Sequence, residues 1–493
     1  MRLTHYWYCQ VITALLVLGT VGSAFAQPID PNVALLRRAT TPQRDGNHLS
    51  LLGSLRQLRD PELRRVFYQL APSTEWQIQV HALLGLAELD PEKGLDPWLI
   101  TQLQAEARQA VIAQALDSDL LETEQIHEIL EWDDLEQIPK LLLFGALAKQ
   151  GESADVEELL DLSDDPDLRV AGFASSLMAQ RGESGSLTGF SDRLANRSKK
   201  EKSNHLVYVF DFIRQHELTN AVPWILSQLE DPDLDPDTAY WGLYTILSLA
   251  PEQGSDLWNR LLGPEPTHRQ KVRFALIILE SGAPVTPAVR QALGSDDTLI
   301  SHMLDAGEKF NAGQPASEQL TALLDLQHLK STDWVVRQLD QMPTDQATPL
   351  LVWMIERVGE PSETPGDAFT LAIIAASKLA QINPGVARSL LRESKDDSAR
   401  QQAILMGLLA SPIPELGAEA KSLRRIGLGR ADSLATILMA RHLEELEPAD
   451  LQQLKVIAAG GGRVADVIQV QAAWLYLRHT DSVERALAEV FDE

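Results

Sequence analysis

The sequence predicts an all-α protein, an α-solenoid of stacked antiparallel helical hairpins that repeat about every 31–36 residues. Three observations predict it. Apolar residues recur at i, i+3, i+4 and i+7 from about His48 onward, and no stretch alternates with period two between hairpin turns. The expected helix ends form a ladder, in which Ala148 and Ala179, Ala250 and Ser281, and Ser281 and Ala312 are each 31 residues apart. Tryptophan-bearing segments also echo one another: Asp96–Leu103, Val222–Leu229 and Thr332–Leu339, with Asp256-Leu257-Trp258 as a looser copy. The composition agrees, since 493 residues with 44% hydrophobic but only 6% aromatic side chains require an aliphatic, helix-forming core.

In chain order, residues 1–26 read as a cleavable signal peptide. Arg2 supplies the basic start, Val11 to Val21 the apolar segment, and Ala24-Phe25-Ala26 a small-residue cleavage site that leaves Gln27 first. The apolar run falls short of the ~20 residues that a membrane span needs. The single cysteine, Cys9, lies inside this segment. The mature chain then has no thiol for a disulfide, a cysteine-ligated zinc or nucleophilic catalysis. Residues 27–47 read as a loose polar leader. Residues 48–360 read as helical repeats, and residues 361–493 as C-terminal repeats continuous with them. Gly313–Ser317 and, better, Pro361–Gly366 are the turn-rich candidates for a break. Asp-Pro pairs at Asp60, Asp90, Asp96, Asp165, Asp231 and Asp235 are expected to start helices. Asp accepts from free N–H groups there, and Pro gives up an N–H that has no intrahelical partner. Trp98, Trp224, Trp258 and Trp334 are read as anchors where one hairpin meets the next.

The stretch Asp164-Asp165-Pro166-Asp167-Leu168-Arg169-Val170-Ala171-Gly172-Phe173-Ala174-Ser175-Ser176-Leu177 resembles the second helix of a HEAT-type repeat, with an acidic cap, a valine–arginine pair (here reversed) and small residues at the helix contact. Val272-Arg273-Phe274-Ala275-Leu276 keeps the usual order, while Asp396–Leu405 and Val470–Leu475 are weaker copies. The chain is thus similar to the HEAT-like helical-repeat superfamily, in an exported bacterial form. The resemblance implies a protein-interaction scaffold and carries over no catalytic residue.

The motifs that could carry chemistry are incomplete. His127-Glu128-Ile129-Leu130-Glu131 opens like a zinc-protease helix but has Glu131 where the second imidazole must stand. Asp231, Asp233, Asp235 and Asp237 suggest a calcium loop, yet the sixth and twelfth positions are Pro236 and Gly242 instead of Gly and Glu, leaving at most a non-standard cation site. Gly182–Gly185 lacks the last glycine of a nucleophile elbow, and Gly460-Gly461-Gly462-Arg463 lacks the Gly-Lys-Ser/Thr of a phosphate loop. No catalytic, cofactor or metal residues are assigned. One basic run, Arg193, Arg197, Lys199, Lys200 and Lys202, stands out as a candidate docking patch in a chain of net charge −27. It carries no interleaved aromatics, and the acidity of the chain argues against nucleic acid.

These readings converge on an exported protein, periplasmic or extracellular, with no stable membrane insertion after cleavage. Its expected work is non-catalytic: binding a protein or peptide along a curved helical surface, with no cofactor. The alternative is a closed α/α toroid acting on envelope or extracellular polysaccharide, in which rings would stack on sugars beside paired carboxylates. The small repeat and the scarcity of aromatics favour an open stack.

Overall fold

The computed structural model describes residues 30–491, apart from 91–93, 119, 153, 232, 255–256, 258–260, 263–264, 295–296, 315–316, 327, 340–341, 359–364, 414, 427–431 and 461–463. The expected signal segment with Ala24, Ala26 and Gln27 lies outside these residues, as do Trp258 and most of the Pro361–Gly366 break. Among the described residues all regular structure is helical, with a 3-10 turn at Thr219–Ala221, and there is no strand. None of these helices is long and apolar enough to cross a membrane.

The first helix is α1 (Pro31–Thr40), where a loose leader was expected. Its short length hides it, but Val33, Leu36 and Ala39 share one face and are fully buried. A ladder of longer helices follows: α2 (Asn47–Leu58), α3 (Trp76–Leu89), α4 (Ala105–Asp117), α5 (Gln137–Lys149), α6 (Leu168–Gln180), α7 (Lys199–Gln215), α8 (Pro236–Leu249), α9 (His268–Ser281) and α10 (Thr298–Asn311). Each packs on the next, and their starts are 29 to 37 residues apart. The spacing then tightens through α11 (Ser317–Asp325), α12 (Thr344–Glu356) and α13 (Pro365–Ile382). It relaxes again for α14 (Ser398–Ala410), α15 (Ser433–His442) and α16 (Asp466–His479), before the terminal α17 (Val483–Phe491). Shorter helices such as Leu63–Leu70, Val156–Ser163 and Gly417–Arg425 pack against the ladder from the intervening segments.

Local chemistry sets these elements. Asp167, Asp235, Asp297, Asp397 and Asp432 cap the starts of α6, α8, α10, α14 and α15 through side-chain acceptance from backbone N–H groups. The Asp96-Pro97 and Asp235-Pro236 pairs stand at cap and first position, as expected. Asp165-Pro166 does not: Asp165 accepts from the Asp167 N–H at 2.7 Å and shapes the turn, while Asp167 is the cap. Where ladder helices touch, glycine lets them close. A β-carbon on Gly407 of α14 would lie 2.6 Å from the Ile373 carbonyl oxygen and 2.8 Å from the Ser377 nitrogen, both on the α13 backbone.

The ladder does not end open. α16 packs against α2 as α2 packs against α3, and α1 lies on both α2 and α16. One apolar cluster holds Val33, Leu36, Leu51, Leu55 and Phe67 from the N-terminal side together with Val470, Trp474, Leu477 and Ala486 from the C-terminal side. Polar contacts sew the same seam. Ser54 donates to the Val467 carbonyl at 2.7 Å, Gln471 donates to the Ser54 carbonyl at 2.9 Å, and Arg38 pairs with Asp466 at 2.7 Å. The packing of helix on helix thus returns to its starting point, which an open stack does not do.

Candidate functional site

The residues singled out by sequence fall into different places. Of the basic run, Arg193 is a structural clip, with its guanidinium donating to the carbonyls of Ser163, at 2.7 Å, and Asp165. Lys202 pairs with Asp231 at 2.7 Å. Arg197, Lys199 and Lys200 remain exposed at the start of α7, which Ser198 and Glu201 close as a reciprocal capping box. Arg193 and Lys202 are thus engaged within the fold, and Arg197, Lys199 and Lys200 are the exposed members of the run. Of the tryptophans, Trp334 is 1% exposed and meets Phe310 edge-on at 5.6 Å, while Trp224 packs between Phe190 and Phe210 and donates to Ser191 at 2.8 Å. Trp98 is 62% exposed, on a five-residue helix (Pro97–Thr101). Three of the four acids of the calcium-like loop diverge: Asp231 goes to Lys202, Asp235 caps α8, and Asp237 pairs with Arg273 at 2.6 Å. No cluster of three metal-ligating side chains occurs among the described residues. His127 forms a surface pair with Glu152 at 3.0 Å.

Two constellations emerge that sequence reading did not single out. The first is a row of rings and guanidiniums over α7, α8, α9 and the helix Leu329–Gln338. Tyr240, Trp241 and Tyr244 occupy one half-buried face of α8. Arg273 lies over the Tyr240 ring at 3.6 Å and Arg214 over the Tyr244 ring at 5.2 Å. Glu280 faces both tyrosines and pairs with Arg337 at 3.2 Å, and Arg214 pairs with Asp211 at 2.7 Å. Burial, reinforced by Glu280, pushes the Tyr240 phenol up to about 12, so it stays a neutral donor at any physiological pH. Two of the seven tyrosines standing one turn apart beside a tryptophan was the available signal.

The second is a cavity of about 750 Å³ at the seam, lined by Gly53, Arg56, Gln57, Arg59, Glu88, Gln381, Ala410, Pro412 and Arg441. Apart from Gly53, these residues lie at or near the C-terminal ends of α2, α3, α13, α14 and α15, where unsatisfied carbonyls favour cations. Histidines at the same level reach those carbonyls: His442 Nε2 meets the Leu409 carbonyl at 2.7 Å, and His479 Nε2 meets the Ala440 carbonyl at 2.8 Å. Arg56 pairs with Glu88 and contacts His81 Nδ1 at 3.3 Å. That nitrogen must accept, and burial, with Arg56 and His48 nearby, pushes the His81 imidazole down to about 3. Arg478 is neutralised by the buried Asp60 at 2.7 Å, which also accepts from the Trp474 indole at 3.2 Å. Arg441 makes no side-chain hydrogen bond or ion pair among the described residues, and neither does Arg59.

Comparison with family models, curated proteins and solved structures returns no match.

Proposed function

We propose that the chain is an exported, non-catalytic scaffold, periplasmic or extracellular, that binds a protein or peptide partner along its helical surface. The observation that carries this reading is the row on α7, α8 and α9. Tyr240, Trp241 and Tyr244 offer rigid, partly exposed rings, and Arg214 and Arg273 stack on two of them. Aromatic and arginine side chains held in this way are the residues that concentrate binding energy in protein interfaces. The HEAT-like motif around Asp164–Leu177 supports the same class of work, and the signal-like segment supports the compartment.

The test is recovery of tagged protein, from Gln27 onward, out of its native envelope at low and high salt. Wild type and Trp241→Ala would be run in parallel, with bound proteins identified by mass spectrometry. A stoichiometric partner that survives high salt and is lost from the variant is the expected result. Partnerless wild-type protein would sink the reading.

One observation favours a second reading. The contact of α16 with α2 closes the ladder, and closed helical toroids are a scaffold of polysaccharide-active enzymes, which cleave with paired carboxylates beside stacking rings. Release of reducing ends from envelope polysaccharide, abolished by Glu280→Gln, would favour the enzyme. Its absence across a panel of polysaccharides would remove it.

A further inference from the structure

The seam cavity contains an imbalance of charge. Acidic residues outnumber basic ones 70 to 43 in this chain, so an arginine normally finds a carboxylate. In the cavity Arg56 has Glu88, and just behind it Arg478 has Asp60. Arg441 is half-buried with Arg59 and Arg478 as its cationic neighbours and Asp60 as the nearby acid, which Arg478 and Trp474 already occupy. Burial and these like charges make the Arg441 charge harder to hold than that of an ordinary guanidinium. A charge held under such conditions costs stability unless a counter-ion arrives. The helix C-termini at this level complement part of that charge, an effect that is screened by salt and falls off within the last turn.

We infer that the cavity lined by Arg56, Gln57, Arg59, Gln381 and Arg441 binds a ligand carrying two oxyanion groups, either carboxylates or phosphates. Neither the half-buried Arg441 nor the exposed Arg59 beside it has an acidic partner among the described residues, so two oxyanions would match the pair. Each guanidinium presents a planar fork of donors that matches a carboxylate or phosphate. Gln57 and Gln381 add neutral amides at the rim. A cavity near 750 Å³ falls within the size range of small-molecule sites and is large enough for a compact dianion. Because its walls come from α2 and α3 on one side and α13, α14 and α15 on the other, such a ligand would bridge the two ends of the chain. The inference rests on the binding-scaffold reading, to which it adds the chemistry of one ligand group.

The test uses the mature chain with three probes: inorganic pyrophosphate, succinate, and sodium chloride at matched ionic strength. Isothermal titration and thermal shift are recorded for wild type, Arg441→Gln and Arg59→Gln/Arg441→Gln. Saturable binding of pyrophosphate or succinate but not of chloride is expected, and the stronger of the two identifies phosphate or carboxylate as the group. Arg441→Gln should weaken it at least tenfold. The ligand-free Arg441→Gln protein should melt at or above the wild-type temperature, because a repulsive charge has gone. Absence of saturable binding to wild type overturns the inference. So does binding that both variants keep, or a variant that melts lower and shows no ligand effect, which would mark Arg441 as a helix-end complement only. Loss of oxyanion binding with protein-partner capture intact would sink this site and leave the scaffold standing. Oxyanion binding with no captured partner would do the reverse.

Discussion

Replacing Asp60 by Asn should loosen the join between the two ends of the chain. Asp60 is 3% exposed and its carboxylate accepts from Arg478, at 2.7 Å, and from the Trp474 indole, at 3.2 Å, while its other oxygen accepts from the Glu62 N–H at 3.0 Å. Asparagine keeps the size but removes the charge. Arg478, whose side chain is 19% exposed, then faces Arg441 without a counter-ion. Breaking a buried ion pair from one side costs about 3–5 kcal/mol. The residual exposure of Arg478 places the cost near the lower end, at about 3 kcal/mol, which is roughly a hundredfold increase in the open population. Native-state hydrogen exchange reads this directly. Amides of α1, α2 and α16 should exchange about a hundredfold faster, while those of α6 to α8 change far less. Asp60→Asn combined with Arg478→Met should restore most of the protection, since the orphaned charge is gone while the asparagine oxygen can still accept a hydrogen bond. Unchanged exchange in α1, α2 and α16 of the Asn variant would refute the assignment of Asp60 as the polar pin of the seam.

Two glycines of similar helical setting should respond with opposite sign. Gly407→Ala forces a β-carbon against the α13 backbone and should destabilise by about 1–3 kcal/mol, whereas Gly189→Ala meets no atom within 4 Å and should stabilise by up to about 1 kcal/mol; thermal denaturation checks both. His216 is 7% exposed, and burial, with Lys149 nearby, pushes its imidazole down to about 4. The unfolded chain therefore takes up a proton that the folded one refuses between about pH 6.5 and 4, so stability falls as pH drops through that window, by at most about 3 kcal/mol from this residue. His216→Gln should flatten that part of the denaturation midpoint against pH; an unchanged slope would show that the imidazole is not held neutral.

The helical class was legible because helix ends and caps are local. The expected ladder at Ala148, Ala179, Ala250, Ser281 and Ala312 falls within a residue of the observed ends of α5, α6, α8, α9 and α10. Local patterning failed where a segment depends on distant partners. α1 is only ten residues long, and its three buried apolar side chains are covered in large part by the distant α16 and α17. Trp98 resembles Trp224 in its flanking residues, but it stands on a single-turn helix that does not turn it inward. The cavity could not be read at all, since its lining comes from five helices spread from Gly53 to Arg441. The seam did leave one trace in the sequence. Residues 30–65 hold seven arginines against four acids, whereas Arg441 to the end holds ten acids against five bases. In an acidic chain, that asymmetry marks the two segments that meet.

Whether charge or apolar packing holds the seam decides how it responds to salt. The ion pairs across it are mostly exposed: Arg38 and Asp466 are each 40% exposed, and Arg65 and Glu484 are 56% and 78% exposed. Pairs of that kind contribute about 0–1 kcal/mol each and are screened over about 10 Å at 0.1 M salt. Val33, Leu36, Leu51, Leu55, Val470 and Trp474 are each at most 1% exposed, and burial of side chains of this size contributes about 1.5–3 kcal/mol apiece. Apolar contact therefore dominates, and charge chiefly selects which faces meet. Raising sodium chloride from 0.05 to 1 M should leave the exchange of α1, α2 and α16 within a fewfold of its low-salt value, while Val33→Asp should open the seam at either concentration. Exchange at these helices that rose a hundredfold in high salt would reverse the argument, making the seven arginines, instead of the buried Val33 and Trp474, the elements that keep the chain closed.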